Sequence, residues 1–194
     1  KRSVVPVACA EGLRPTSERV RETVFDWLTH LFGTLEGCDA LDMFAGSGAM
    51  GLEAASRGAD YVDWLDIHRQ GIAGIRQALT RLGADDHKQA RVADAFRFLQ
   101  DAPRSYDVIF IDPPFSLDMQ VKAARAALGA LKEEGLLYVE SPTELLSDEA
   151  LESLGVVRVR SGSAGAVRFE LLAKAGSGMA GLVRLSKEEK RSRK

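Results

Sequence analysis

Leu41-Asp42-Met43-Phe44-Ala45-Gly46-Ser47-Gly48-Ala49-Met50-Gly51 runs from apolar residues into glycines spaced G-x-G-x-x-G. A short apolar stretch entering such a loop reads as a strand that turns sharply into a helix, with glycines that let a ligand approach the backbone. Asp66 follows Gly46 by twenty positions, at the end of a second apolar stretch, Tyr61-Val62-Asp63-Trp64-Leu65. That spacing matches a dinucleotide-binding fingerprint, in which a carboxylate takes the ribose hydroxyls. Charge separates two kinds of ligand. Asp42 stands just before the loop and Glu53 just after it. Both oppose a pyrophosphate, because like charges ~4 Å apart cost on the order of 4 kcal/mol at an effective dielectric of about 20. S-adenosylmethionine carries a sulfonium, an ammonium and a carboxylate, so its net charge is positive. Asp42 can neutralise its cationic end while loop N–H groups meet its carboxylate. A nicotinamide or flavin enzyme, and a strand-to-helix turn with no ligand, stay open as alternatives.

Outward from this loop, strand-like and helix-like patterns alternate. Candidate strands are 40–44, 61–66, 89–93, 107–112, 135–140, 156–160 and 167–173. Ile72, Ile75, Leu79 and Leu82 mark one of the helices between them. Such alternation predicts an α/β fold, a mostly parallel seven-stranded sheet with helices on both faces. The last two strands are joined only by Ser161-Gly162-Ser163-Ala164-Gly165, too short for a crossover, so they form a C-terminal antiparallel hairpin. Ligands of these sheets lie beyond the carboxyl ends of the strands. Asp42, Asp66, Asp94 and Asp112 fall at four such ends and are expected to converge on one rim.

Asp112-Pro113-Pro114-Phe115 ends the apolar run Tyr106-Asp107-Val108-Ile109-Phe110-Ile111. Each proline fixes its own φ and biases the residue before it toward extended backbone. The turn therefore presents carbonyls and one carboxylate as preset hydrogen-bond acceptors beside an aromatic ring. Such an array suits a planar group bearing an NH2, such as the exocyclic amine of a nucleobase. The plainer alternative is a Pro-rich turn with Phe115 as a core plug.

Composition is that of an ordinary globular chain: 194 residues, 45% hydrophobic, 28% charged, net charge −2. The charge is uneven. Residues 1–22 carry +2 and residues 184–194 carry +4, while 23–183 hold 15 basic against 23 acidic residues. Basic ends can engage phosphates or simply solubilise. No apolar run approaches the ~20 residues of a membrane span. Cys9 and Cys38 have no metal or redox spacing, and His30, His68 and His87 form no cluster, so no metal is expected and a cytoplasmic, reduced setting is the default. Val4 to Ala8 reads as a strand remnant. Pro15-Thr16 opens a helix with Thr16 as its cap, whose apolar face is Val20, Val24, Trp27, Leu28 and Leu31.

Gly12-Leu13-Arg14-Pro15-Thr16-Ser17-Glu18-Arg19-Val20-Arg21-Glu22-Thr23-Val24-Phe25, taken with the glycine loop and the Asp-Pro-Pro-Phe turn, resembles the RsmD family, bacterial 16S ribosomal RNA guanine-(N2) methyltransferases. The resemblance covers about residues 10–174. It implies the class I S-adenosylmethionine-dependent methyltransferase fold in a single domain, with an N-terminal extension (1–36) and a Rossmann-like core (37–174); residues 175–194 beyond it read, from their charge, as a basic, disordered tail. It implies that Asp42, Gly46 and Gly48 hold the methionine end of the cofactor, Asp66 its ribose hydroxyls, and Asp94, Ala95 and Phe96 the adenine, with Phe44 and Ile67 also in the cofactor site. Many members carry Glu where this chain has Asp66. Asp112 and the Pro113 carbonyl would accept from the target amine in a turn stiffened by Pro114, and Phe115 would stack on the base. Arg14, Thr16, Arg19 and Arg21 would line the entrance, toward RNA phosphates or the cofactor carboxylate. The implied partner is 16S RNA in an assembled or assembling small subunit, met by a monomer. The nearest rival is an adenine amino-group methyltransferase; a protein-glutamine methyltransferase, a nicotinamide-dependent dehydrogenase and a silent RNA-binding module are the others.

Overall fold

Strict alternation of buried side chains along the strands divides the molecule into two cores. The structure, a computed structural model, describes residues 18–84, 86–114 and 117–182. In chain order these form α1 (Glu18–Phe32), β1 (Asp39–Asp42), α2 (Ala49–Ser56), β2 (Tyr61–Asp66), α3 (Arg69–Leu82), β3 (Lys88–Val92), α4 (Ala95–Gln100), β4 (Tyr106–Ile111), α5 (Leu117–Ala127), β5 (Leu131–Ser141), α6 (Asp148–Leu154), β6 (Val156–Ala164) and β7 (Val167–Lys174). Short 3-10 turns occupy Leu128–Ala130 and Gly178–Leu182. The strands make one seven-stranded sheet in the order β3-β2-β1-β4-β5-β7-β6. β1 to β5 pair in parallel, and β7 runs antiparallel to both β5 and β6.

One core lies on the face bearing Ala40, Trp64, Phe110 and Tyr138, covered by Val24, Phe25 and Leu28 of α1, Met50 of α2 and Ile72 and Ile75 of α3. The other lies on the face bearing Leu41, Leu65, Ile109, Ile111 and Val139, covered by Ala95 of α4, Ala123 and Ala127 of α5 and Leu151 of α6. A parallel sheet buried on both sides explains why these strands read as almost unbroken apolar runs. No helix among the described residues is long and apolar enough to cross a membrane.

Several sequence expectations need correction. Residues 161–164 are strand, not loop: β6 runs to Ala164, paired with Val167, and the connection is Gly165-Ala166, with Gly165 at φ 59. Gly162 is needed there because a Cβ would lie 2.6 Å from Phe169 Cζ and 3.1 Å from Trp27 Cη2, where the Trp27 and Phe169 rings stack. Within the tail expected from 175, residues 175–182 are folded onto the domain. The Glu134 carboxylate accepts from Gly178 N at 2.9 Å and Met179 N at 3.0 Å, and Arg160 Nη1 donates to Leu182 O at 2.7 Å. Leu82, expected on the core face of α3, is 59% exposed, because the helix ends there at Gly83. α1 keeps its expected face and adds Phe25, fully buried 5.6 Å from Phe110. The Val4–Ala8 remnant and the Thr16 cap lie outside the described residues.

Candidate active site

β1 pairs with β2 on one side and β4 on the other, so the sheet reverses its winding between β1 and β4, the place where such sheets bind ligands. Asp42 ends β1 and Asp112 follows the last residue of β4, so the two acids flank that point. Asp42 shares the face of Ala40, Asp66 that of Trp64 and Asp112 that of Phe110, by the alternation of strand side chains.

The glycine loop is held from all sides. Met43 N donates to Phe110 O at 3.0 Å and Ala45 N to Leu65 O at 2.8 Å. Gly46 N donates to Asp66 Oδ2 at 2.8 Å, and Gly48 N to Ala45 O. Gly46 and Gly48 adopt φ of 51 and 79, which favours glycine at both positions. Their amides are thus used inside the loop, and their part in ligand binding is shape rather than donation. Gly51 N donates to Asp42 Oδ2 at 3.0 Å, and Trp64 Nε1 to Gly48 O at 3.2 Å. A Cβ on Gly51 would lie 2.1 Å from Trp64 Nε1, and one on Gly71 2.5 Å from Gly46 O, so both helices flanking the loop need glycine for close approach. Asp66 Oδ1 accepts from His68 N at 2.8 Å, which fixes the carboxylate at the mouth with one lone pair on each oxygen still available.

Burial first, then the nearby Asp66 carboxylate, push the Asp42 carboxyl up to about 7, against the opposing hydrogen bond from Gly51. Asp112 is likewise held well above the usual carboxylate range by burial and then by the charges of Glu140 and Asp42. Four carboxyls on adjacent strands, Asp66, Asp42, Asp112 and Glu140, therefore oppose one another, and a cationic ligand would relieve them. Glu53, which the sequence places beside the loop, turns away to Arg57 at 2.7 Å and Arg21 at 3.7 Å. Asp112 and Glu140 take its place as the carboxyls that would oppose a pyrophosphate.

Glu140 was missed. It lies at the end of the candidate strand 135–140, and counting every acid at a strand terminus would have found it. Its Oε2 accepts from the buried Tyr138 Oη at 2.7 Å. Asp94 stands at the end of a more distant strand and caps α4, its Oδ1 accepting from Arg97 N at 2.8 Å. Ala95 is buried behind it. Phe44 and Phe96 meet edge to face at 6.2 Å, with Lys122 Nζ 4.7 Å above Phe96. These rings form an apolar wall next to Asp94, while Ile67 is 64% exposed beside Asp66. Pro113 is buried and Pro114 exposed. Arg19 is exposed on α1, as its helical position predicts, and Arg21 is tied to Glu53. Arg14, Thr16 and Phe115 lie outside the described residues.

Fold and rim together define a class I S-adenosylmethionine-dependent methyltransferase. Residues 1–172 match the model of the family described as Conserved hypothetical protein 95, and the chain belongs to that family, the RsmD family. Among its relatives, the Escherichia coli protein named Ribosomal RNA small subunit methyltransferase D is 38% identical over 144 residues, covering 72% of this chain and 70% of its own. A solved Escherichia coli structure named as methyltransferase yhhF is 33% identical, with a TM-score of 0.74 over 88% of this chain and 91% of that one. Magnesium protoporphyrin IX methyltransferase from Synechocystis, solved with bound SAM, shares the fold at a TM-score of 0.65 and 17% identity, over 80% of this chain and 78% of that one.

Proposed function

We propose that this methyltransferase transfers a methyl group to the exocyclic amine of a guanine in 16S ribosomal RNA, acting as a monomer in the cytoplasm on an assembled or assembling small subunit. The observation that carries the chemistry is the acid turn after β4, set beside the carboxyls of β1 and β5 at the point where the sheet reverses. The relatives' names support the ribosomal RNA, and the family resemblance supports guanine.

The cofactor supplies an already activated methyl on a sulfonium. Asp42 holds the cationic end, Asp66 takes the ribose hydroxyls, and Asp94 with Ala95, Phe96 and Phe44 takes the adenine. Asp112 and the Pro113 carbonyl accept the two N–H bonds of the target amine, which orients its lone pair for in-line attack. The nitrogen lone pair forms the new bond to carbon, the carbon–sulfur pair stays on sulfur, and one N–H proton must leave. A carboxylate of ordinary pKa is a poor acceptor for it, and the sequence alone favours simple charge stabilisation. The raised proton affinity of Asp112 supports the stronger role of proton acceptor. Phe115 would stack on the base for ~1–3 kcal/mol. The base must leave any stack to enter the rim, so an exposed or loop nucleotide is the substrate.

The test is transfer of labelled methyl to small subunits lacking base methylation, with naked 16S RNA and DNA in parallel, followed by nucleoside analysis. Label in N2-methylguanine, strongest on the particle, is expected. Label in adenine, or on DNA, would overturn the substrate reading.

A further inference from the structure

We propose that Glu140 is a positioning residue for the methyl transfer: it stands beside Asp112 on the neighbouring strand and holds it as the acceptor of the proton that the target amine releases. This rests on the reading of Asp112 given above.

Register carries the placement. β4 and β5 are parallel with Ile111 opposite Val139, so the next residues along, Asp112 and Glu140, come side by side. Both alternate with side chains of the same core, Phe110 and Tyr138, and so both rise from the α1–α3 face. The Glu140 carboxyl is fixed from below. Tyr138 is fully buried, packs edge to face on Phe110 at 6.1 Å, and donates its phenol to Glu140 Oε2 at 2.7 Å. The Glu140 backbone is fixed from the other side of the turn. Gln120 of α5, fully buried, donates Nε2 to Glu140 O at 3.0 Å. Strand end and helix are thereby tied together, so Glu140 is held in place next to Asp112 by both its side chain and its backbone. Gln120 Oε1 and Ser141 Oγ are both buried without a hydrogen-bond partner among the described residues, so this corner keeps polar capacity beyond what the fold uses.

The electrostatics agree. Among the groups facing Asp112, Glu140 acts on it most strongly, then Asp42 of β1. Tyr138 donates to Glu140, α5 presents the uncharged Gln120, and Arg21 of α1 and Arg57, just after α2, are turned to Glu53. A neighbouring carboxylate that raises the proton affinity of Asp112 makes it a better base at neutral pH.

The experiment measures single-turnover methyl transfer to small subunits at saturating cofactor, across about pH 5.5 to 9. The full chain is compared with Glu140→Gln, Glu140→Asp and Asp112→Asn, with S-adenosylhomocysteine affinity measured on each. For Glu140→Gln, a plateau about tenfold lower and an acid limb moved to lower pH are expected, with affinity within about threefold of the parent. Glu140→Asp, which keeps the charge, should return the limb toward its original place. A Glu140→Gln profile with the parent limb overturns the proposal, whether or not the rate falls. If Asp112→Asn keeps the parent rate, the acceptor turn itself is misread and this inference falls with it. If Asp112→Asn is inactive while Glu140→Gln keeps rate and limb, only Glu140 is misassigned.

Discussion

Replacing Asp42 by Asn should stabilise the ligand-free protein and weaken cofactor binding at the same time. Asp42 is 5% exposed, and burial, reinforced by Asp66, carries its carboxyl from 3.8 to about 7. An acid whose pKa is higher folded than unfolded favours the folded state at low pH. That contribution is complete below about pH 4 and is lost as pH rises through about 7. The interval corresponds to about 4 kcal/mol, at ~1.4 kcal/mol per pKa unit. Asn cannot ionise, and its side-chain oxygen can still accept from Gly51 N. At about pH 8 the variant should therefore exceed the parent in stability by as much as ~4 kcal/mol, and the two should converge toward about pH 4. Affinity moves oppositely. A charge-assisted hydrogen bond contributes about 1.5–3 kcal/mol, so the variant should bind S-adenosylhomocysteine about 10- to 100-fold more weakly at about pH 8. Parent affinity should rise with pH by about that same 10- to 100-fold in all, levelling above about 7, a slope absent from the variant. Urea unfolding and calorimetric titration across this range read both quantities. A variant less stable than the parent at about pH 8, or one with the parent's affinity and slope, would refute the reasoning.

Three further substitutions probe the frame around the site. Gly51→Ala forces a Cβ to within 2.1 Å of Trp64 Nε1, a ring with no exposure and no room to move. Overpacking and the loss of the Trp64 bond to Gly48 should cost about 3–5 kcal/mol in urea unfolding, and a loss under ~1 kcal/mol would show that the loop adjusts freely. Tyr106→Phe removes the 2.7 Å phenol bond to Asp63 Oδ2, leaving that fully buried carboxylate to Arg91 at 3.1 Å. It should cost about 2 kcal/mol of stability with methyl transfer kept, whereas a neutral change would mean water or a repacked Arg91 satisfies Asp63. Asp66→Ala should weaken S-adenosylhomocysteine binding about 10- to 100-fold, since it removes the ribose acceptor and frees Gly46 N and His68 N. Unchanged affinity would take Asp66 out of the ribose site.

Local pattern was enough to place β1, β2 and β4, because buried parallel strands are near-continuous apolar runs and their carboxyl ends carry acids. Asp42, Asp66 and Asp112 were legible for that reason. What escaped depends on contacts distant in sequence. Glu140 joins the rim only through the register of β5 on β4, which nothing local specifies. Asp63 reads as an ordinary strand residue until Tyr106 and Arg91 close on it from 43 and 28 positions away. Ser161–Ala164 has loop composition, yet Gly162 is a strand residue whose missing side chain makes space for Phe169 and Trp27. The stretch up to Leu182 looked like tail because its anchor is Glu134, some 44 residues earlier. Asp94 shows the opposite limit. Its position at a strand end fits both an adenine acceptor and a helix cap, and the structure shows it performing the second.

The most direct test of the account is to measure methyl transfer and S-adenosylhomocysteine affinity on the same preparation of Asp112→Ala. Transfer to small subunits abolished, with affinity kept within a few fold of the parent, is the predicted result. Transfer retained, or transfer and affinity lost together, would contradict the assignment of Asp112 to the target amine.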